Sequence, residues 1–310
     1  MVMLLEDIVE SVELWLKLIR KKPQPYVDPD LDPVLLVPGI AGSILKAVDN
    51  KGREDRVWVR ILSADYKCRT KLWSLFDPSI GKTVSLDPKS NISVPEGRDG
   101  LYAIDILDPD LVFVVSYICF SHVGCFYLRS APGYVTSTFV NGMSFVEGWE
   151  QNFFISKWSM HQLLLECPSF YELMACPHFC WENSPLLQIW KQNCDSDGNS
   201  NILLESYSPE ESISIFTEAL STNMVKYDGV DISLPFNLGI LKWANETRKV
   251  YSSAKLPPQV KFYNVYGTNL ETPHSVCYGS EGAPVTDLQQ LPSLMANYVC
   301  VDGDGTGQFL

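Results

Sequence analysis

The sequence predicts an α/β protein, and three segments carry that prediction. Residues 33–37 are an apolar run that leads into Pro38-Gly39, as expected of a buried strand ending in a tight turn. Residues 298–301 repeat the apolar pattern and lead into an acidic, glycine-rich turn at residues 302–306. Residues 3–20 carry apolar side chains at helical spacing, with acids first and Lys or Arg last, which predicts an amphipathic helix.

Charge and cysteine content restrict the classes of partner. The 24 Lys and Arg against 37 Asp and Glu give a net charge of −13, which argues against nucleic acid and against simple attraction to anionic lipid. Any membrane contact would therefore depend mostly on apolar surface. Nine cysteines without a repeating spacing favour reduced thiols, and the acids at Glu6 and Asp7 are unlike a signal peptide. We expect a cytoplasmic protein, peripheral on membranes if it binds them.

The helix predicted at residues 3–20 has two possible environments. It can pack on the domain, or it can lie at a bilayer interface, where Trp15 and the wide apolar face would meet lipid. A second apolar segment, residues 111–128, has no acid, Lys or Arg and reaches only the lower limit for a membrane span. Serine, glycine, cysteine and histidine dilute it, so a buried strand or a misassembled sequence is favoured over a span.

The middle of the chain predicts a mixture of elements. Residues 51–80 alternate charge with Trp58 and Trp73 and indicate a long surface excursion, and residues 100–107 and 260–266 have strand patterns. Residues 132–255 indicate helix and loop. Within them, Ser184-Pro185 predicts the start of one helix, and Ser208 with Glu211 forms a capping box that predicts another.

The candidate chemistry lies in the two turns. The amide of Ile40, after Pro38-Gly39, could stabilise a developing negative charge. Asp302 and Asp304 could orient a histidine, and Asp304 is the stronger candidate because it lies further beyond the strand. No serine has the Gly-x-Ser-x-Gly setting of a nucleophile elbow, and all four histidines precede Asp304.

Two weak metal patterns do not support a metal site. The cysteines and histidine of residues 176–180 match no standard zinc spacing, and the acidic loop at 195–200 has Ser206 where a calcium loop needs glutamate.

Taken together, these motifs resemble the lecithin:cholesterol acyltransferase family, in particular plant-type members related to phospholipases A. The resemblance covers about nine-tenths of the chain. The matching blocks are residues 33–45, 57–77, 100–110, 131–174, 260–278 and 298–306.

The resemblance implies an α/β-hydrolase core with a lid near residues 51–80. An N-terminal helix would occupy residues 1–26, the first part of the core 27–131, a cap 132–255 and the last core strands 256–310. Such enzymes move an acyl chain from a phospholipid onto a serine and then to water or an alcohol, without a cofactor. The implied site residues are the oxyanion amide of Ile40, the triad acid Asp304, and Trp15, Trp58 and Trp73 for lipid contact.

Two departures from the family pattern predict an incomplete hydrolase. Only twenty residues separate Asp110 from Ala131, whereas the strand–helix–strand unit that carries the serine elbow needs about thirty or more. The sequence after Thr306 also departs from the family, and the histidine region is not found. We therefore expect a catalytically impaired member that meets phospholipid and membrane surface. The alternative is a non-catalytic lipid- or protein-binding remnant.

Overall fold

The structure, a computed structural model, describes residues 44–58, 63–95, 131–142, 156–177, 181–194, 200–255, 258 and 268–303. The strands are β1 Leu45–Asp49, β2 Glu54–Trp58, β3 Ser74–Asp77, β4 Lys82–Ser85, β5 Ser90–Ser93, β6 Leu187–Cys194, β7 Ser200–Tyr207, β8 Met224–Tyr227, β9 Val230–Ser233, β10 Leu270–Tyr278 and β11 Ala296–Gly303. The α-helices are α1 Ala64–Lys67, α2 Pro132–Asn141, α3 Lys157–Leu165, α4 Pro168–Glu172, α5 Ser212–Ala219 and α6 Leu238–Ser253. A π-helix covers Cys68–Leu72 and a 3₁₀-helix Leu288–Ser293.

A four-stranded sheet has the order β11-β10-β6-β7, and β11 includes Asp302 and Gly303, the first two residues of the predicted acidic turn. Strands β6 and β10 run parallel, and the other two pairings are antiparallel. A parallel pair needs a crossover connection, and here the connection contains α5 and α6. Mixed helices and strands with a parallel central pair are consistent with the predicted α/β class.

The predicted lid region forms small antiparallel units. Strands β2-β1-β5 make one sheet, and β3 with β4 makes a hairpin. Trp58 and Trp73 are buried in the core, and the indole N–H of Trp73 donates to the backbone oxygen of Ser159 at 3.2 Å. Both side chains therefore belong to the core of this structure, and their contact with lipid stays a prediction. Burial removes their large apolar surfaces from water, so they stabilise the fold.

An aromatic cluster forms the centre of the core. Phe139 of α2 is fully buried and contacts the rings of Phe170, Tyr171, Phe216 and Phe236 at centroid distances of 4.6–5.8 Å. Most of these contacts are edge-on or tilted, which the ring quadrupoles favour. The cluster fixes α2 against α4 and α5.

Two predictions of local structure are confirmed. The capping box is present, since the Ser208 N–H donates to the Glu211 carboxylate at 2.8 Å and the Glu211 N–H donates to Ser208 Oγ at 3.3 Å. The strand predicted at residues 298–301 is β11. It is a partly exposed strand with Val299 53% exposed, however, and not a buried one.

The helix predicted after Ser184-Pro185 is wrong, because residues 187–194 form strand β6. Leu187 and Ile189 alternate with more exposed residues and are almost fully buried, as a strand between two neighbours requires. The segment 132–255 also contains β7, β8 and β9, so its description as helix and loop was incomplete.

Several predicted elements lie outside the described residues. They are the helix at 3–20, the strands at 33–37, 100–107 and 260–266, and the uncharged run 111–128. Within the part of the chain that is described, no helix combines the length and apolar character needed to cross a bilayer.

Candidate functional site

The acidic turn begins at the end of β11, where Asp302 is held by a backbone contact. Asp302 pairs in register with Glu271 of β10, and its Oδ1 accepts the N–H of Asn269 at 2.7 Å. Asn269 has a φ of 65°, a conformation that asparagine tolerates better than most residues. The Asp302 carboxylate thus ties the end of β11 to the turn that begins β10. This structural role leaves Asp304 as the better candidate for a catalytic acid.

Three predicted site residues, Ile40, Asp304 and Trp15, lie outside the described residues. Their roles stay predictions. Of the predicted site residues, the structure describes Trp58 and Trp73, and it places both in the core.

The buried serines near the turn are occupied by structural hydrogen bonds. Ser275 Oγ accepts the N–H of Leu186 at 2.9 Å and joins β10 to the start of β6. Ser137 Oγ donates to the backbone oxygen of Tyr134 and accepts from the Tyr298 hydroxyl at 2.8 Å. Neither arrangement leaves a hydroxyl oriented by a histidine, so neither serine has the environment of an activated nucleophile.

The packing of α2 under β10 is tight enough to favour glycine at position 133. A Cβ built on Gly133 would lie 3.1 Å from the backbone oxygens of Pro273 and Ser275. This close approach brings the N-terminal turn of α2 directly against the middle of β10.

His161 of α3 is a buried, neutral histidine. Its Nε2 donates to the backbone oxygen of Phe139 at 2.9 Å, and its Nδ1 is buried without a hydrogen-bond partner. Burial, together with the positive charge of Lys157, lowers the pKa of His161 to about 4, although the hydrogen bond to Phe139 opposes the shift. The ring satisfies a carbonyl in the last turn of α2, which makes it a structural residue.

His274 lies in an irregularity of β10 between Pro273 and Ser275, and it packs edge-on against Trp181 at 6.0 Å. The residue opposite Asp302 is Glu271, three positions before His274. Since a strand rises about 3.3 Å per residue, His274 is displaced from Asp302 by roughly 10 Å along the sheet. The described residues therefore bring no histidine into reach of the Asp302 carboxylate from β10.

A buried polar network centred on Asn141 supports the sheet. The Asn141 amide donates to the backbone oxygens of Leu291 and Leu294 at 2.8 and 2.9 Å, and its oxygen accepts the Tyr278 hydroxyl at 2.6 Å. Burial raises the pKa of Tyr278 well above its ordinary value, so it remains a donor. The network joins α2, β10 and the 3₁₀-helix.

Glu166 is a buried carboxylate that sequence reasoning missed. Its Oε2 accepts the N–H of Phe76 in β3 at 2.6 Å, and Asn237 Nδ2 donates to its Oε1 at 3.2 Å. Burial raises the pKa of Glu166 above its ordinary value. The one available signal was an acid directly after Leu163-Leu164-Leu165, but its partner is 90 positions away in sequence. The contact fastens the predicted lid region to the cap region.

Arg248 completes this junction from α6. Its guanidinium donates to the backbone oxygens of Tyr171 and Met174 at 2.8 and 2.7 Å, and burial lowers its pKa. A cation at these carbonyls stabilises the C-terminal end of α4.

The described parts of the chain contain no group of side chains suited to a metal centre. A cleft of about 230 Å³ beside β1 is lined by charged side chains, including Asp49, Arg53 and Lys71. Its polar walls do not suit an acyl chain.

Two proteins of Arabidopsis thaliana are similar to this chain. Lecithin-cholesterol acyltransferase-like 4 is 48% identical over 393 aligned positions, which cover 99% of this chain and 74% of that protein. Phospholipase A(1) LCAT3 is 37% identical over 365 positions, which cover 89% of this chain and 82% of that protein. No family model matches the chain.

Both aligned spans are longer than the chain itself. They exceed its 310 residues by 83 and 55 positions. Each relative therefore contains residues within the matched span that have no counterpart here.

Proposed function

Because this chain belongs to the plant lecithin:cholesterol acyltransferase-like family, we propose that it functions in lipid metabolism by binding phospholipid, with its own acyl-transfer step impaired. At the family level the chemistry is acyl transfer or phospholipid ester cleavage, as the names of both relatives indicate. Our proposal assigns the lipid-binding part of that function to this chain.

The observation that carries the proposal is the missing serine elbow. The sequence contains no Gly-x-Ser-x-Gly, and only twenty residues join the blocks between which the family places this unit. Relatives with extra residues inside the matched span support an internal loss, and this support does not depend on where the chain begins or ends. The buried Ser137 and Ser275 donate to or accept from backbone groups and offer no replacement.

The chemical consequence is severe. In acyl transfer the serine oxygen attacks the ester carbonyl carbon while a histidine takes the hydroxyl proton, and the lysophospholipid oxygen then leaves with a proton. Removing the serine from such a triad lowers turnover by about a millionfold. Binding of the lipid does not require that hydroxyl.

A covalent probe tests the impairment directly. Purified protein is treated with a fluorophosphonate, and every seryl peptide is examined by mass spectrometry, with Arabidopsis lecithin-cholesterol acyltransferase-like 4 as the positive control. We expect an adduct on the control and none on this chain. An adduct on any serine here, or phospholipid turnover equal to that of the control, would refute impairment.

Liposome flotation tests the binding half separately. We expect the protein to float with phosphatidylcholine vesicles and Trp15→Asp to weaken this binding. Because Trp58 and Trp73 are buried, the lid-region variant is Ile80→Asp, whose side chain is 56% exposed. Val230→Asp, whose side chain on the β8–β9 hairpin is 62% exposed, is the matched control. A chain that does not float would disprove lipid binding whatever the probe shows.

A further inference from the structure

Strand β7 is a long edge strand with apolar side chains on both faces. It pairs with β6 over all eight residues, and within the described segments it has no second neighbour. Leu203 and Leu204 point to opposite faces, as successive strand residues do, and they are 46% and 41% exposed. Two large apolar side chains at the middle of an edge strand therefore meet water.

The usual protections against edge pairing are missing from β7. The strand contains neither proline nor lysine, and its single charged residue is Glu205. Lys191 of β6 pairs with that carboxylate at 3.0 Å, and the Tyr207 hydroxyl also donates to it. The charge is thus neutralised within the hairpin, and the edge remains suited to strand addition.

We propose that β7 pairs antiparallel with β7 of a second copy of this chain, about a two-fold axis through Leu203. A two-fold axis normal to the sheet keeps each side chain on its own face, so opposite residues must be an even number of positions apart. With Leu203 at the axis, Leu203 faces its own copy, and Leu204 faces Ile202 of the second copy. Glu205 then faces Asn201, an acceptor opposite a donor.

This register is favoured over its neighbour by side-chain chemistry. Moving the axis by one residue to Leu204 would place Leu203 against Glu205 and lose two apolar pairs. The Leu203 register makes three apolar pairs from residues of one strand, so the edge is complementary to itself. Apolar cross-strand pairs stabilise antiparallel sheets. A second copy is therefore the occupant that the strand fits.

The net charge of −13 opposes this association at long range. Salt screens such repulsion within about 8 Å at 0.15 M ionic strength. We therefore expect dimerisation to strengthen as salt is raised from 0.02 to about 0.3 M.

The test is light scattering after size exclusion. Wild-type protein is expected at twice 34.9 kDa and the Leu203→Lys variant at 34.9 kDa. The dissociation constant of the variant dimer should be raised at least about tenfold, because like charges face each other at the axis. Val84→Lys, a comparably exposed strand residue of β4, is expected to leave the dimer intact. Circular dichroism confirms that each variant is folded.

Mixing variants tests the register. Leu203→Lys mixed with Leu203→Glu should restore a dimer, because opposite charges meet at the axis, whereas Leu204→Lys mixed with Leu204→Glu should not. A monomeric wild-type chain at 100 μM, or a dimer that survives Leu203→Lys, would overturn the proposal. Polydisperse aggregates instead of a dimer would also overturn it.

Discussion

Replacing Glu166 by alanine is expected to loosen the junction between the predicted lid region and the cap region. The carboxylate accepts the Phe76 N–H at 2.6 Å and the Asn237 amide N–H at 3.2 Å, and Glu166 is 4% exposed. Alanine leaves the buried Phe76 N–H and the part-buried Asn237 amide without this acceptor. Hydrogen bonds to a charged group contribute about 1.5–3 kcal/mol, and each buried unsatisfied group costs about 1–3 kcal/mol.

The net loss is smaller than the sum of these contributions. Burial already destabilises the ionised carboxylate, since it raises the pKa of Glu166. The variant removes that cost together with the hydrogen bonds. We expect the free energy of unfolding to fall by about 3 kcal/mol at pH 7.

The same carboxylate determines the sign of a pH effect. Because the pKa of Glu166 is higher in the folded protein, the folded state binds the proton more readily than the unfolded chain does. Its contribution to stability is greatest below the ordinary pKa of 4.5 and falls as pH rises through the raised value. Glu166→Ala should remove this part of the pH dependence.

Hydrogen exchange at Phe76 and urea unfolding measure the effect. We expect the Phe76 amide to exchange about 100-fold faster in Glu166→Ala, while amides of the β6–β7 hairpin change little. Glu218→Ala, on the exposed face of α5, is the control and should stay within about 0.5 kcal/mol of wild type. A loss of unfolding free energy below 1 kcal/mol, with unchanged exchange at Phe76, would refute the role of Glu166 in joining the two regions.

Three further predictions follow from the buried network, the cap and the histidine. Asn141→Ala should lower the free energy of unfolding by about 3–4 kcal/mol, and Tyr278→Phe should lower it by about 1–2 kcal/mol. A double-mutant cycle should give a coupling energy of about 1 kcal/mol between the two residues. Additive losses would contradict their hydrogen bond. Ser208→Ala should lower the free energy of unfolding by about 1 kcal/mol, because alanine lacks the capping oxygen. Ser208→Thr keeps that oxygen and should stay near wild type in the same urea titration. Burial lowers the pKa of His161 from 6.5 to about 4, so the neutral ring contributes fully to the free energy of unfolding above pH 6.5. This contribution, about 3 kcal/mol, is lost as the pH falls towards 4. His161→Gln should show a smaller acid-induced loss, and an unchanged loss would be evidence against a buried neutral ring.

Local signals in the sequence predicted the local features of the fold. The capping box needs only Ser208 and Glu211, which are neighbours in the chain, and it forms as predicted. The strand at 296–303 follows from an uninterrupted apolar pattern before an acidic turn. Its exposure could not be predicted, because the position of a strand within a sheet depends on pairing with distant segments.

Other features failed because long-range contacts override local pattern. Ser184-Pro185 has the chemistry of a helix start, but pairing with β7 and β10 makes the following residues a strand. Trp58 and Trp73 alternate with charged residues, which indicates surface, yet both indoles are buried against distant segments. Glu166 gave no clear signal because its function depends on a backbone N–H 90 positions away.

These same long-range contacts bear on the proposed function, in which a binding surface persists while the acyl-transfer step is impaired. Several hydrogen bonds join the segments before and after residues 96–130. Asp65 accepts the Ser156 N–H, the Trp73 indole donates to Ser159, and Glu166 accepts the Phe76 N–H. None of these bonds involves the stretch where a serine elbow would lie. The stability of this lid–cap contact therefore depends on residues that the chain has kept. Catalysis instead needs a serine, a base and an acid in one geometry, and loss of the serine alone lowers turnover by about a millionfold. On this proposal, lipid binding and acyl transfer depend on different parts of the sequence, so the first can persist without the second.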